Sequence, residues 1–105
     1  MARSILLAWC VVLMVVAAAP SSGAERRVAL VIGNGAYEHA SPLPNPRNDA
    51  EDVAAALTRT GFDTMVGLDL SQSEMQEITI RFSRAAREAD VALFYYAGHA
   101  LQFAG

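Results

Sequence analysis

Asp90-Val91-Ala92-Leu93-Phe94-Tyr95-Tyr96-Ala97-Gly98-His99-Ala100-Leu101-Gln102 is the stretch whose reading decides the fold. It starts as an unbroken apolar run containing β-branched and aromatic residues, breaks at Gly98 and delivers His99. Continuous rather than alternating apolarity predicts a strand covered on both faces, as in a parallel sheet. In open α/β sheets, ligands and catalysis gather at the carboxyl ends of strands, where the strand order reverses. An imidazole placed there serves either as a packed structural side chain or as a general acid–base near neutral pH.

Reading backwards from that strand, Met75, Ile78, Phe82, Ala85 and Ala89 recur at spacings of three and four, one helical stripe. Ser71-Gln72-Ser73-Glu74 is a capping-box pattern that opens this helix. Arg81, Arg84, Arg87 and Glu88 make up its solvated face. Before it, Phe62–Leu68 reads as a strand and Gly61 as the left-handed terminator of an earlier helix. That helix is expected from about Asn48 to Thr60, with Ala50, Val53, Ala54 and Leu57 on its buried face. Asn48, Asp49, Glu51 and Asp52 fall at its start, where Asn or Asp caps and acids suit the helix dipole. Asn34 to Arg47 holds Pro42, Pro44 and Pro46 and reads as a loop. Val28–Gly33 is a first buried strand.

The order is β-α-β-α-β, and crossovers of this length imply parallel strands with right-handed connections. The fold class expected is α/β, with strand order 2-1-3 and helices on both faces. That order places the loop after the first strand and His99 on the two lips of one crevice. It leaves the apolar third strand as an open edge, which folded proteins avoid. The 105 residues therefore read as an incomplete domain.

The N-terminus has a different character. Met1-Ala2-Arg3-Ser4 is a short basic start, Ile5–Ala19 is apolar, and Pro20–Ala24 supplies small residues before Glu25. Residues 1–24 are expected to be a signal peptide, making the protein exported, periplasmic or secreted. A retained anchor would need about 20 apolar residues, more than this run contains. No stable membrane insertion is expected after cleavage. Cys10, the single cysteine, leaves with the leader. The eight basic residues less Arg3, set against eleven acids, give residues 25–105 a net charge of -4. An acidic surface argues against a nucleic-acid partner.

Two further patterns are weaker. Gly33-Asn34-Gly35 lacks the third glycine of a dinucleotide loop, since Glu38 stands in its place, and reads as a turn. Glu38 and His39 lack the companions that a metal site needs, so no metal and no cofactor are expected.

Three segments in order, Arg27–Asn34, Leu43–Ala50 leading through Leu57 to Gly61-Phe62, and Phe94–His99, together resemble the caspase-type cysteine peptidase domain. The similarity is to its bacterial metacaspase-like or orthocaspase-like branch and covers essentially all of residues 25–105. The resemblance implies the N-terminal part of a caspase-like three-layer α/β/α sandwich. It implies a cysteine-type endopeptidase whose Cys–His dyad takes His99 from this chain. The nucleophilic Cys is expected on the next strand, about 50 residues beyond the His, and so past residue 105. It further implies an oxyanion held by the backbone N–H of Ala100, where the family often has Gly. Asp49 would line the pocket for a basic residue before the scissile bond, although helix capping explains the same residue. Peptide or protein substrates follow, and calcium dependence occurs in the family. A non-catalytic relative that binds peptide without cutting it would carry the same segments.

Overall fold

The computed structural model of the chain describes residues 5–18, 25–35 and 44–104, with side chains for 11–18, 25–35 and 45–98. Strands β1 (Ile5–Ala18), β2 (Arg27–Asn34), β3 (Asp63–Leu68) and β4 (Val91–Ala104) form one sheet in the order β1-β4-β2-β3. Helices α1 (Pro44–Arg59) and α2 (Gln72–Arg87) connect β2 to β3 and β3 to β4. The three strands from β2 onward are parallel and have the expected 2-1-3 arrangement.

β2 is central because its inner residues, Val28 to Gly33, are all apolar and both faces are needed to bury them. Val28 through Ile32 are all buried. Period-two alternation sends them to opposite faces. Ala29 and Val31 join Ala50 and Ala54 of α1 together with Leu93, Tyr95 and Ala97 of β4. Leu30 and Ile32 join Ile78 of α2. Burying each of the larger aliphatic side chains stabilises by about 1.5–3 kcal/mol. Two helices on opposite faces of a parallel sheet make the three-layer sandwich, with the helical stripes as expected.

Local signals set most boundaries. Ser71 caps α2 with a complete capping box: its hydroxyl accepts from the Glu74 N–H, and the Glu74 carboxylate accepts from the Ser71 N–H. That backbone N–H first, and then the hydroxyl, hold the Glu74 carboxyl below its ordinary range. Gly61 ends α1 at φ +92, with Phe62 N–H donating to the Leu57 carbonyl. Arg27 adds a side-chain donor to the Thr60 carbonyl at 2.9 Å. At the same end of the sheet, Arg26 and Asp90 exchange bonds that start β2 and β4 together.

Three boundaries differ from expectation. First, α1 begins at Pro44, four residues earlier than the composition indicated. Proline fits a first helical turn because the N–H it lacks has no intrahelical partner there. Pro44 and Pro46 thus belong to the helix, and no acid lies in its first turn. Second, β4 runs past Gly98 to Ala104. Third, the edge of β4 is covered. Ile5–Ala18 pairs with it antiparallel, from Ile5 opposite Ala104 to Ala18 opposite Val91. An apolar, Val-rich segment can fill the row of unpaired N–H and C=O groups that such an edge exposes. Val12, Met14 and Val16 on one face of β1 and Leu13 and Val15 on the other are all about half exposed or more. β1 is therefore joined to the sheet mainly through its backbone ladder.

Candidate active site

The carboxyl ends of β2 and β3, and β4 at Ala97-Gly98, meet the start of α1. The parallel pairing of β2 with β4 ends at Asn34 opposite Gly98. His99 is the next residue of β4, and beyond that point β4 is paired only with β1. The register puts Cys10 opposite His99 and Trp9 opposite Ala100.

Close packing brings α1 to this end of the sheet. A side chain at Gly33 would collide with the carbonyl oxygen of Pro46 and come within 2.7 Å of the Ala50 Cβ. Gly33 is thus glycine because the first turns of α1 rest directly on the end of β2. A side chain at Gly98 would lie 2.7 Å from the Asn34 carbonyl and 2.8 Å from the Tyr96 hydroxyl. Both glycines flanking the end of the sheet are therefore fixed by backbone proximity. This contact links the two expected site segments: Gly33 pairs with Ala97, two residues before His99, and packs under Pro46 and Ala50.

Asp49 immediately precedes Ala50 and is exposed. It lies in the second turn of α1, not at its cap, because the helix starts at Pro44. The capping explanation for Asp49 is thereby removed. Asp49 and the backbone of His99 stand at the same end of the sheet. Glu38 and His39 lie outside the described residues. Among the described residues no group of three or more His, Cys, Asp or Glu gathers in a way that could hold a metal ion.

Sequence reasoning missed a polar cluster at the same end. Asp69, between β3 and α2, has φ +50. Its N–H donates to the Gly33 carbonyl at 2.9 Å. Its Oδ1 accepts from the Gly35 N–H at 2.8 Å, and its Oδ2 lies 3.3 Å from Arg47 Nε. Asn34 Oδ1 accepts from the Leu70 N–H at 3.0 Å. An Asp between a strand and an N-cap serine was the available signal, because Asp tolerates the left-handed conformation.

The arrangement is a parallel set β4-β2-β3 with Gly98-His99 where the β2–β4 pairing ends and an Arg-Asn-Asp turn of helix beside it. The caspase domain family matches residues 26–105. The chain belongs to that family. It is also 33% identical over 76 residues to the human (Homo sapiens) mucosa-associated lymphoid tissue lymphoma translocation protein 1, a match that covers 72% of this chain and 9% of that protein. The chain thus spans a small part of the length of this curated relative. No solved structure matches it. The match spans both the α1 start and Gly98-His99 and is to a peptidase-type family, in which a protein substrate is the general expectation.

Proposed function

We propose that the chain forms the N-terminal part of a cysteine-type endopeptidase of the metacaspase-like branch, exported under the direction of residues 1–24. His99 takes the proton of a cysteine thiol supplied from beyond residue 105, and the thiolate attacks the scissile carbonyl. The backbone N–H of Ala100 donates to the developing oxyanion, which any non-proline residue can do. His99 then returns its proton to the leaving amine, and water releases the acyl group. The substrate is a peptide or protein.

One observation carries this reading. In a chain of the caspase domain family, His99 follows directly on Gly98, which closes the last parallel pair of the sheet beside the start of α1. Asp49 supports a preference for Arg or Lys before the cut, because it is an exposed carboxylate at that end which no longer has a capping role. A charge-assisted bond of that kind is worth about 1.5–3 kcal/mol, or about 10- to 150-fold.

Asp49→Asn in the full-length protein is therefore expected to lower kcat/KM for peptides with Arg before the scissile bond by about 10- to 100-fold. Cleavage of matched peptides with a neutral residue there should change little. Steady-state kinetics on the two peptides measure this directly. Equal losses on both would remove Asp49 from substrate selection.

The exposed strand β1 fits the leader reading. An apolar segment held by one ladder and left uncovered over Val12–Val16 is poorly suited to a mature surface. Among the described residues no helix is long and apolar enough to cross a membrane. N-terminal sequencing of the exported protein should find Glu25 first.

A further inference from the structure

The Asp69 carboxylate has a feature that packing does not require: its two oxygens bind on either side of one chain segment. Oδ1 holds the Gly35 N–H, which follows β2, and Oδ2 holds Arg47, in the first turns of α1. The β3–α2 turn is itself fastened to β2 twice more, through Asp69 N–H to Gly33 and Leu70 N–H to Asn34. Asp69 adopts φ +50 to make this set of bonds. Its side chain is 26% exposed, whereas Arg47 is 50% exposed. The ion pair alone would be worth little at such exposure. The joint geometry is what counts, since a carboxylate bridging two chain segments fixes their separation.

We propose that Asp69 is a positioning residue for substrate selection. Its carboxylate ties the exit of β2 and the entry of α1 to the β3–α2 turn, and so sets where Asp49 stands relative to His99. The same bond engages Arg47, a cation two residues from the carboxylate proposed to select a basic side chain. The inference rests on the reading of Asp49 given above.

Two substitutions separate backbone from side chain. Both Asn and Gly adopt positive φ readily, so neither strains the turn. Asp69→Asn keeps an acceptor for Gly35 and loses the charge that holds Arg47. Asp69→Gly loses both. In the full-length protein, hydrogen exchange of the Gly35 amide is expected to stay near the original rate in Asp69→Asn and to rise by about 10-fold in Asp69→Gly. Selectivity, as the ratio of kcat/KM for Arg against Gln before the cut, should fall about 3-fold in Asp69→Asn and about 10-fold in Asp69→Gly. The loss should lie in KM, with kcat within about 2-fold of the original.

Unchanged Gly35 exchange in Asp69→Gly would overturn the clamp. Faster exchange with unchanged selectivity would overturn its role in selection. If the unaltered protein cleaves nothing, the peptidase reading fails by itself. Binding of an Arg-containing peptide by calorimetry then takes the place of kinetics: weaker binding by Asp69→Gly supports the proposal, and equal binding contradicts it.

Discussion

His99→Ala in the full-length protein should lower kcat/KM for cleavage after Arg by about 10³-fold or more, while peptide binding stays within about 3-fold. The magnitude follows from what the imidazole does. Without it the thiol must ionise unaided, and the leaving amine must depart without a proton donor. Residual turnover would come from the oxyanion donor and from binding, which the substitution leaves in place. Stability should change little, because the backbone of β4 at residue 99 is already held by the ladder to β1 or to whatever strand takes its place. Single-turnover kinetics together with peptide titration separate the two effects. A non-catalytic relative would give a different pattern: the unaltered protein would bind peptide, and neither it nor His99→Ala would cut.

The second large effect concerns the edge of the sheet. Residues 25–105 produced without the first 24 should self-associate. β1 pairs along the whole of β4, from Val91 to Ala104. Removing it bares one side of an apolar strand whose residues Leu93, Tyr95 and Ala97 already belong to the core. Long unpaired edges of this kind template pairing with other chains. A chain this short buries only about 60% of its unfolded surface, so it has little stability to set against the loss. In the proposed peptidase, the strand that follows residue 105 and carries the nucleophile would take this place. A longer chain that includes that strand and lacks residues 1–24 should accordingly be monomeric. Light scattering on the two preparations makes the comparison. A monomeric 25–105 with a cooperative melting transition would contradict the edge argument.

Much of this architecture could be read from the residues because single features determine it. The uninterrupted apolarity of Val28–Gly33 and Val91–Ala97 requires two covered faces, and the stripes at Ala50–Leu57 and Met75–Phe82 supply the covers. Ser71 with Glu74, and Gly61, mark helix ends whose hydrogen bonds are local. What escaped the reading depends on contacts between distant segments. Pro44 and Pro46 are loop signals by composition, and only the packing of α1 on Gly33 makes them a first helical turn. That shift also changed the meaning of Asp49 from a cap to an exposed carboxylate. Ile5–Ala18 carries an export signal and a strand-forming Val run in the same residues, and the open edge of β4 draws out the second property. Asp69 could not be recognised as a bridge, because its partners lie 34 and 22 positions away along the chain. At the site, Gly98 was readable as a break, but it ends only the pairing with β2, and the strand itself continues through His99 to Ala104. The family match over residues 26–105 then gave His99 a chemical context.

The central claim is that His99 serves a cysteine from beyond residue 105 in a pocket selecting a basic side chain. Its most direct test is to incubate the full-length protein with a peptide that carries Arg next to a thiol-reactive group. Mass spectrometry then locates the adduct. The account predicts a single modified cysteine beyond residue 105, with labelling slowed about 10-fold or more by His99→Ala and by Asp49→Asn. Labelling of Cys10, or of no cysteine at all, would contradict it.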